Sequence, residues 1–98
     1  MHFVIYCADS EDGDALREEN YDAHVAHLGG ISGQIMLGGP CPAGNGEARQ
    51  ASMLVVEAED VAAARALAEA DPFFTSGVWD SVMVREFKAV AGKWAPPS

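Results

Sequence analysis

Phe3-Val4-Ile5-Tyr6-Cys7-Ala8 is an apolar run of β-branched and aromatic residues, closed by the polar Asp9-Ser10-Glu11-Asp12-Gly13. That is strand chemistry followed by loop chemistry. Successive side chains of a strand face opposite ways, so Val4, Tyr6 and Ala8 share one side while Phe3, Ile5 and Cys7 share the other. Both sides are apolar, whereas a sheet with one wet face alternates apolar and polar residues. This strand therefore needs cover on both faces.

Outward from this strand, Asp14 to Leu28 read as a helix. At about 100° per residue, Leu16, Asn20, Ala23, His24, His27 and Ile31 gather on one side, opposite Glu18, Glu19 and Asp22. The inner face is unusually polar, and Gly29-Gly30 is expected to stop the helix. Ile35-Met36-Leu37 form a second strand that ends at Gly38-Gly39-Pro40, and Cys41 to Gln50 make a loose Gly/Ala/Asn loop. Met53-Leu54-Val55-Val56 are a third strand, again apolar on both sides. Glu59-Asp60 cap an alanine-rich helix over 61–70, which ends at Asp71 because the residue before Pro72 avoids helical geometry. Residues 78–87 close the series as a fourth strand.

The order β-α-β-β-α-β predicts an α+β, ferredoxin-like domain with a four-stranded antiparallel sheet and both helices on one face. It occupies residues 1–90, and 91–98 form an extended tail carrying Trp94 and Pro96-Pro97. Two helices cover only one face. The second apolar face then predicts a homodimer through sheet-on-sheet packing.

Within 98 residues, 6 Lys and Arg stand against 15 Asp and Glu, a net charge of -9. Such a surface repels phosphate backbones and anionic lipid, which argues against nucleic acid and membrane partners. An anionic small molecule would need a local positive field from Arg17, Arg65, Arg85 or His24. No run approaches a membrane span, and the opening strand lacks a charged leader, so the expected location is cytoplasmic. Cys7 and Cys41, without a CxxC pattern, are expected as free thiols.

His24 on an inner helix face and Asp71 at the head of Asp71-Pro72-Phe73 are the residues that can carry chemistry. A carboxylate beside an imidazole orients the ring and raises its basicity, which allows proton transfer near neutral pH. The plainer readings are a histidine satisfied by a backbone carbonyl and an aspartate that only holds its turn. His27 lies three residues from His24, but no HExxH or clustered carboxylates complete a metal site. Cys41 has no basic neighbour in sequence and reads as a pocket wall. Asp9 can cap the first helix, Tyr6 and Tyr21 can donate to a ligand, and Gly38-Gly39 opens no helix and so is no phosphate loop.

The chain resembles the YCII-related family, small α+β proteins that form dimeric α/β barrels. The likeness runs from Met1-His2-Phe3-Val4-Ile5-Tyr6 and Asp9, through His24 and Leu28, to Gly39-Pro40, Asp71-Pro72-Phe73, Gly77-Val78 and Phe87-Lys88. The resemblance implies a pocket in each subunit and a His24-Asp71 dyad; Tyr6, Asp9, His27, Gly39, Pro40, Cys41 and Phe73 are the residues expected to line it and bind substrate. It also implies lyase, isomerase or dehalogenase-like chemistry on a small cyclic or aromatic-derived acid. No cofactor is expected, because a lone His-Asp pair shuttles protons but carries neither hydride nor electrons, and no metal, because the ligand motif is incomplete. A non-catalytic small-ligand-binding or accessory protein is the alternative. Many relatives carry Arg three residues before the His, where this chain has Tyr21.

Overall fold

A computed structural model describes residues 1–95. The elements are β1 (His2–Asp9), α1 (Gly13–Gly30), a 3-10 turn (Ser32–Gln34), β2 (Ile35–Cys41), β3 (Ala51–Glu57), α2 (Val61–Glu69), α3 (Pro72–Thr75) and β4 (Trp79–Glu86). The sheet order is β2-β3-β1-β4, every neighbouring pair antiparallel. This is the ferredoxin-like arrangement that the element order predicts.

The helix-facing side of the two-sided apolar strand behaves as its alternation requires. Phe3, Ile5 and Cys7 of β1 and Leu54 and Val56 of β3 are buried beneath the helices. They pack with Ala64 and Ala68 of α2, and with Phe73, Val78 and Trp79. Small alanines let α2 lie close on the sheet, and Asp60 starts it by accepting from Ala63 N–H at 2.8 Å. On the other face, Tyr6 is 42% and Met83 is 44% exposed. Part of that face borders an open apolar cleft of about 870 Å³, lined by Met36, Leu37, Met53, Val55, Phe87 and Trp94 among others.

Several boundaries differ from the sequence reading. α1 runs through Gly29-Gly30 because neither glycine adopts a positive φ, and it ends where Ile31 N–H returns to Leu28 O. Ala23 is exposed, and the inward stripe instead includes Arg17 with Leu16, Asn20, His24 and His27. β2 continues through Gly38-Gly39-Pro40 to Cys41. It is an edge strand, where a proline's missing N–H is tolerated. The following loop is tightened by Gly44, Asn45 and Gly46, all at positive φ, and by a Gly44–Glu47 bridge. Asp71 has extended geometry before Pro72, as expected, but Pro72 then opens the short helix α3 instead of a plain turn. Of the tail, 91–95 turn about Gly92 and are not extended. Pro96 and Pro97 lie outside the described residues.

Candidate active site

His24 and Asp71 meet. His24 Nδ1 lies 2.8 and 2.9 Å from the two carboxylate oxygens of Asp71. A carboxylate offers only acceptors, so Nδ1 carries the hydrogen and donates, and in the neutral ring Nε2 keeps the lone pair. Asp71 Oδ1 also accepts from Phe73 N–H at 2.9 Å. The carboxylate thus caps α3 and orients the imidazole with the same oxygen. The Asp71 side chain is 1% exposed and that of His24 14%. Nε2 has no hydrogen-bond partner among the described residues, yet it is not among the sealed, unpartnered atoms. It is the nitrogen left free of Asp71, on a ring that keeps a small exposed fraction.

Aromatic packing fixes the ring. The Phe73 ring stacks on His24 at 3.7 Å between centroids and 3° between planes. Trp79 meets both edge-on, at 6.2 Å from His24 and 5.9 Å from Phe73. The local chain supports these placements: Pro72 at the first position of α3 sends Phe73 inward, and Gly77, at φ 89°, turns the chain into β4 so that Trp79 begins it.

Beside the dyad lies an ion pair that the sequence reading did not identify. Arg17 donates to both oxygens of Asp9, Nε to Oδ2 at 2.6 Å and Nη2 to Oδ1 at 2.8 Å, and Nη2 also donates to Ser52 Oγ at 2.9 Å. Its guanidinium carbon is 5.2 Å from the centroid of Phe73, so Arg17 and His24 touch the same aromatic ring. They are two turns apart on α1, a spacing that holds them on one face. That spacing was the available signal in sequence. Gly13 permits the close approach of α1 to Asp9, since a Cβ there would meet Asp9 Oδ2 at 2.7 Å.

The other expected wall residues divide. Asp9, Tyr6 and Cys41 border an open cleft of about 330 Å³ with Pro42, Arg49 and Asp80, toward the loop between β2 and β3. Gly39 and Pro40 lie on edge strand β2, away from both the dyad contacts and this cleft's lining. His27 Nε2 donates to Leu67 O at 2.9 Å and ties α1 to α2. Among the described residues no three His, Cys, Asp or Glu side chains gather where they could share a metal ion, and no helix is long and apolar enough to cross a membrane. Cys7 and Cys41 are free thiols. Burial first, then the Asp71 and Asp9 carboxylates, push the Cys7 thiol up from 9.0 to about 12. It is therefore no nucleophile near neutral pH.

The fold and the paired His24 and Asp71 define a small ferredoxin-like α+β protein with acid-base groups set between its helices. The chain belongs to the YCII-related domain family, whose model matches residues 1–88. It is 35% identical over 97 residues to the protein YciI of Escherichia coli and equally to that of Shigella flexneri, spanning 92% of this chain and 99% of each relative. Among solved structures it resembles a 5-chloro-2-hydroxyhydroquinone dehydrochlorinase from Burkholderia phenoliruptrix in complex with 2,5-dihydroxybenzoquinone. That likeness has a TM-score of 0.80 and 33% identity, covering 92% of this chain and 96% of the other. A heme-degrading protein from Mycobacterium tuberculosis shares the fold at a TM-score of 0.56 and 22% identity, covering 94% and 100%.

Proposed function

We propose that this protein is a cofactor-independent acid-base enzyme acting on a small oxygenated ring compound. In this reading His24 Nε2 takes and returns a proton while Asp71 fixes the tautomer. The observation that carries it is the single Nδ1–H of His24 shared between both oxygens of Asp71, which leaves Nε2 with the lone pair of the neutral ring. Such an arrangement moves protons but carries neither hydride nor electrons, which restricts the chemistry to elimination, isomerisation or related steps.

The dehydrochlorinase named above supports elimination on a ring substrate. In loss of HCl, a base takes a proton, chloride leaves with the C–Cl bonding pair, and the freed electrons form a new double bond. His24 is the base this site offers. The test is chloride release from 5-chloro-2-hydroxyhydroquinone as a trial substrate. Wild-type protein is expected to release chloride, and His24→Ala to lose turnover while remaining folded. Equal activity in the variant removes His24 from the mechanism. Wild-type binding without turnover favours the accessory ligand-binding reading.

The same reading includes a homodimer. Met53, Tyr6 and Met83 are cross-strand neighbours on β3, β1 and β4, on the face the helices leave open. A second copy stacking sheet on sheet covers that row. Met83→Glu is expected to lower the mass seen by light scattering to that of one chain. An unchanged mass tells against the stacking.

A further inference from the structure

Among the described residues, two polar side-chain atoms are sealed from solvent without a hydrogen-bond partner, Trp79 Nε1 and Ser76 Oγ. Both lie at the junction of α3 and β4, Ser76 ending α3 and Trp79 beginning β4 on either side of the Gly77 turn. An unmatched buried donor costs on the order of 1–3 kcal/mol, and native proteins leave few of them. Phenylalanine in place of Trp79 would give an aromatic edge at His24 and Phe73 without that cost. The indole is 4% exposed, and its ring stands perpendicular to the His24 imidazole.

We propose that Trp79 Nε1, on the indole that meets the His24 ring edge-on, and Ser76 Oγ, across the Gly77 turn, are the substrate-orienting groups of the His24 site, and that they receive an oxygen of the ring compound once its binding opens the packing that closes them from solvent. This rests on the reading of the site given above and specifies which substrates fit. An indole N–H only donates, so the ligand atom it meets is an acceptor: a carbonyl, phenolate or carboxylate oxygen. Ser76 can either donate to such an oxygen or accept from a neighbouring hydroxyl. A ring bearing a carbonyl next to a hydroxyl satisfies both, whereas its deoxygenated analogue leaves both unpaired. Selectivity for oxygenated rings follows, because a site built to hydrogen-bond an oxygen discriminates strongly against its absence. These are positioning groups and take no part in proton transfer.

The test uses 15N-labelled full-length protein with 2,5-dihydroxybenzoquinone as the probe. The chain has two tryptophans, and Trp94 is 83% exposed, so its indole N–H exchanges rapidly with solvent and that of Trp79 is distinguished by slow exchange. The probe is expected to shift the Trp79 indole resonance together with the His24 ring resonances. Ser76→Ala, which deletes only a buried hydroxyl, and Trp79→Phe are each expected to weaken probe binding about tenfold, as one lost hydrogen bond does. Ser76→Ala should keep or raise its melting temperature, since it removes an unmatched buried hydroxyl. A clear fall in that temperature means the hydroxyl has a structural partner and overturns its assignment. If the His24 resonances move while the indole is silent and both variants bind like wild type, this proposal fails and the reading of His24 stands. If wild-type protein responds nowhere to the probe, both fall together.

Discussion

The imidazole of His24 and the ring of Phe73 lie parallel, 3.7 Å apart, while the backbone N–H of Phe73 is held by the carboxylate that orients His24. One turn of α3 therefore supplies the acid that selects the tautomer and the surface that sets the ring plane. The two constraints are independent. The hydrogen bond fixes which nitrogen is basic, and the stack fixes where it points.

Asp71→Asn separates capping from tautomer control. Asparagine caps helices about as well as aspartate, so α3 should persist with a stability change of at most about 1 kcal/mol. It no longer compels Nδ1 to carry the hydrogen, and turnover should fall by roughly 10²–10⁴-fold. Steady-state kinetics beside 15N NMR of His24 check this. An intact rate with an unchanged tautomer removes Asp71 from the mechanism.

Phe73→Leu keeps a buried apolar residue but removes the stacked surface. The loss of ring contact and the partly filled cavity should cost about 1–3 kcal/mol in urea unfolding. The proton-transfer rate should drop more than substrate affinity does. If KM changes and kcat does not, Phe73 contacts the substrate and does not position the imidazole.

Arg17→Ala strands the Asp9 carboxylate, whose side chain is 2% exposed. Breaking a buried pair at one partner costs about 3–5 kcal/mol. Arg17→Lys keeps the charge but loses the two-pronged contact and should recover only part of that stability. A double-mutant cycle with Asp9→Asn measures the coupling, and a value near zero denies the pair a structural role.

Cys7 gives the protein an alkaline weakness. Its thiol rises from 9.0 to about 12 on folding, through burial and the nearby carboxylates. Below the unfolded value both states hold the proton, and stability does not depend on this group. Above it, the unfolded chain loses the proton while the folded one keeps it, so stability falls as pH rises toward the folded value. Urea midpoints on either side of pH 9.0 should show this slope, and Cys7→Ala should flatten it. Iodoacetamide should modify Cys41 first in the native protein, and early modification of Cys7 would contradict its burial.

The sequence by itself determined the order of elements and the two apolar faces of β1 and β3, because strand alternation and helical periodicity are local properties. It also determined the end of α2 before Asp71, since Pro72 restricts its own neighbour, and it marked His24 and Asp71 as the groups able to carry chemistry. Only the tertiary structure decided that these two touch, across 47 residues of chain. Docking likewise set Arg17 on Asp9, laid Phe73 flat on His24 and left Trp79 Nε1 buried and unmatched. None of this is written in periodicity, because contacts between α1, α3 and β4 depend on how packed elements meet. The continuation of α1 through Gly29-Gly30 and of β2 through Pro40 was settled in the same way. Glycine permits a break without imposing one, and an edge position excuses the proline.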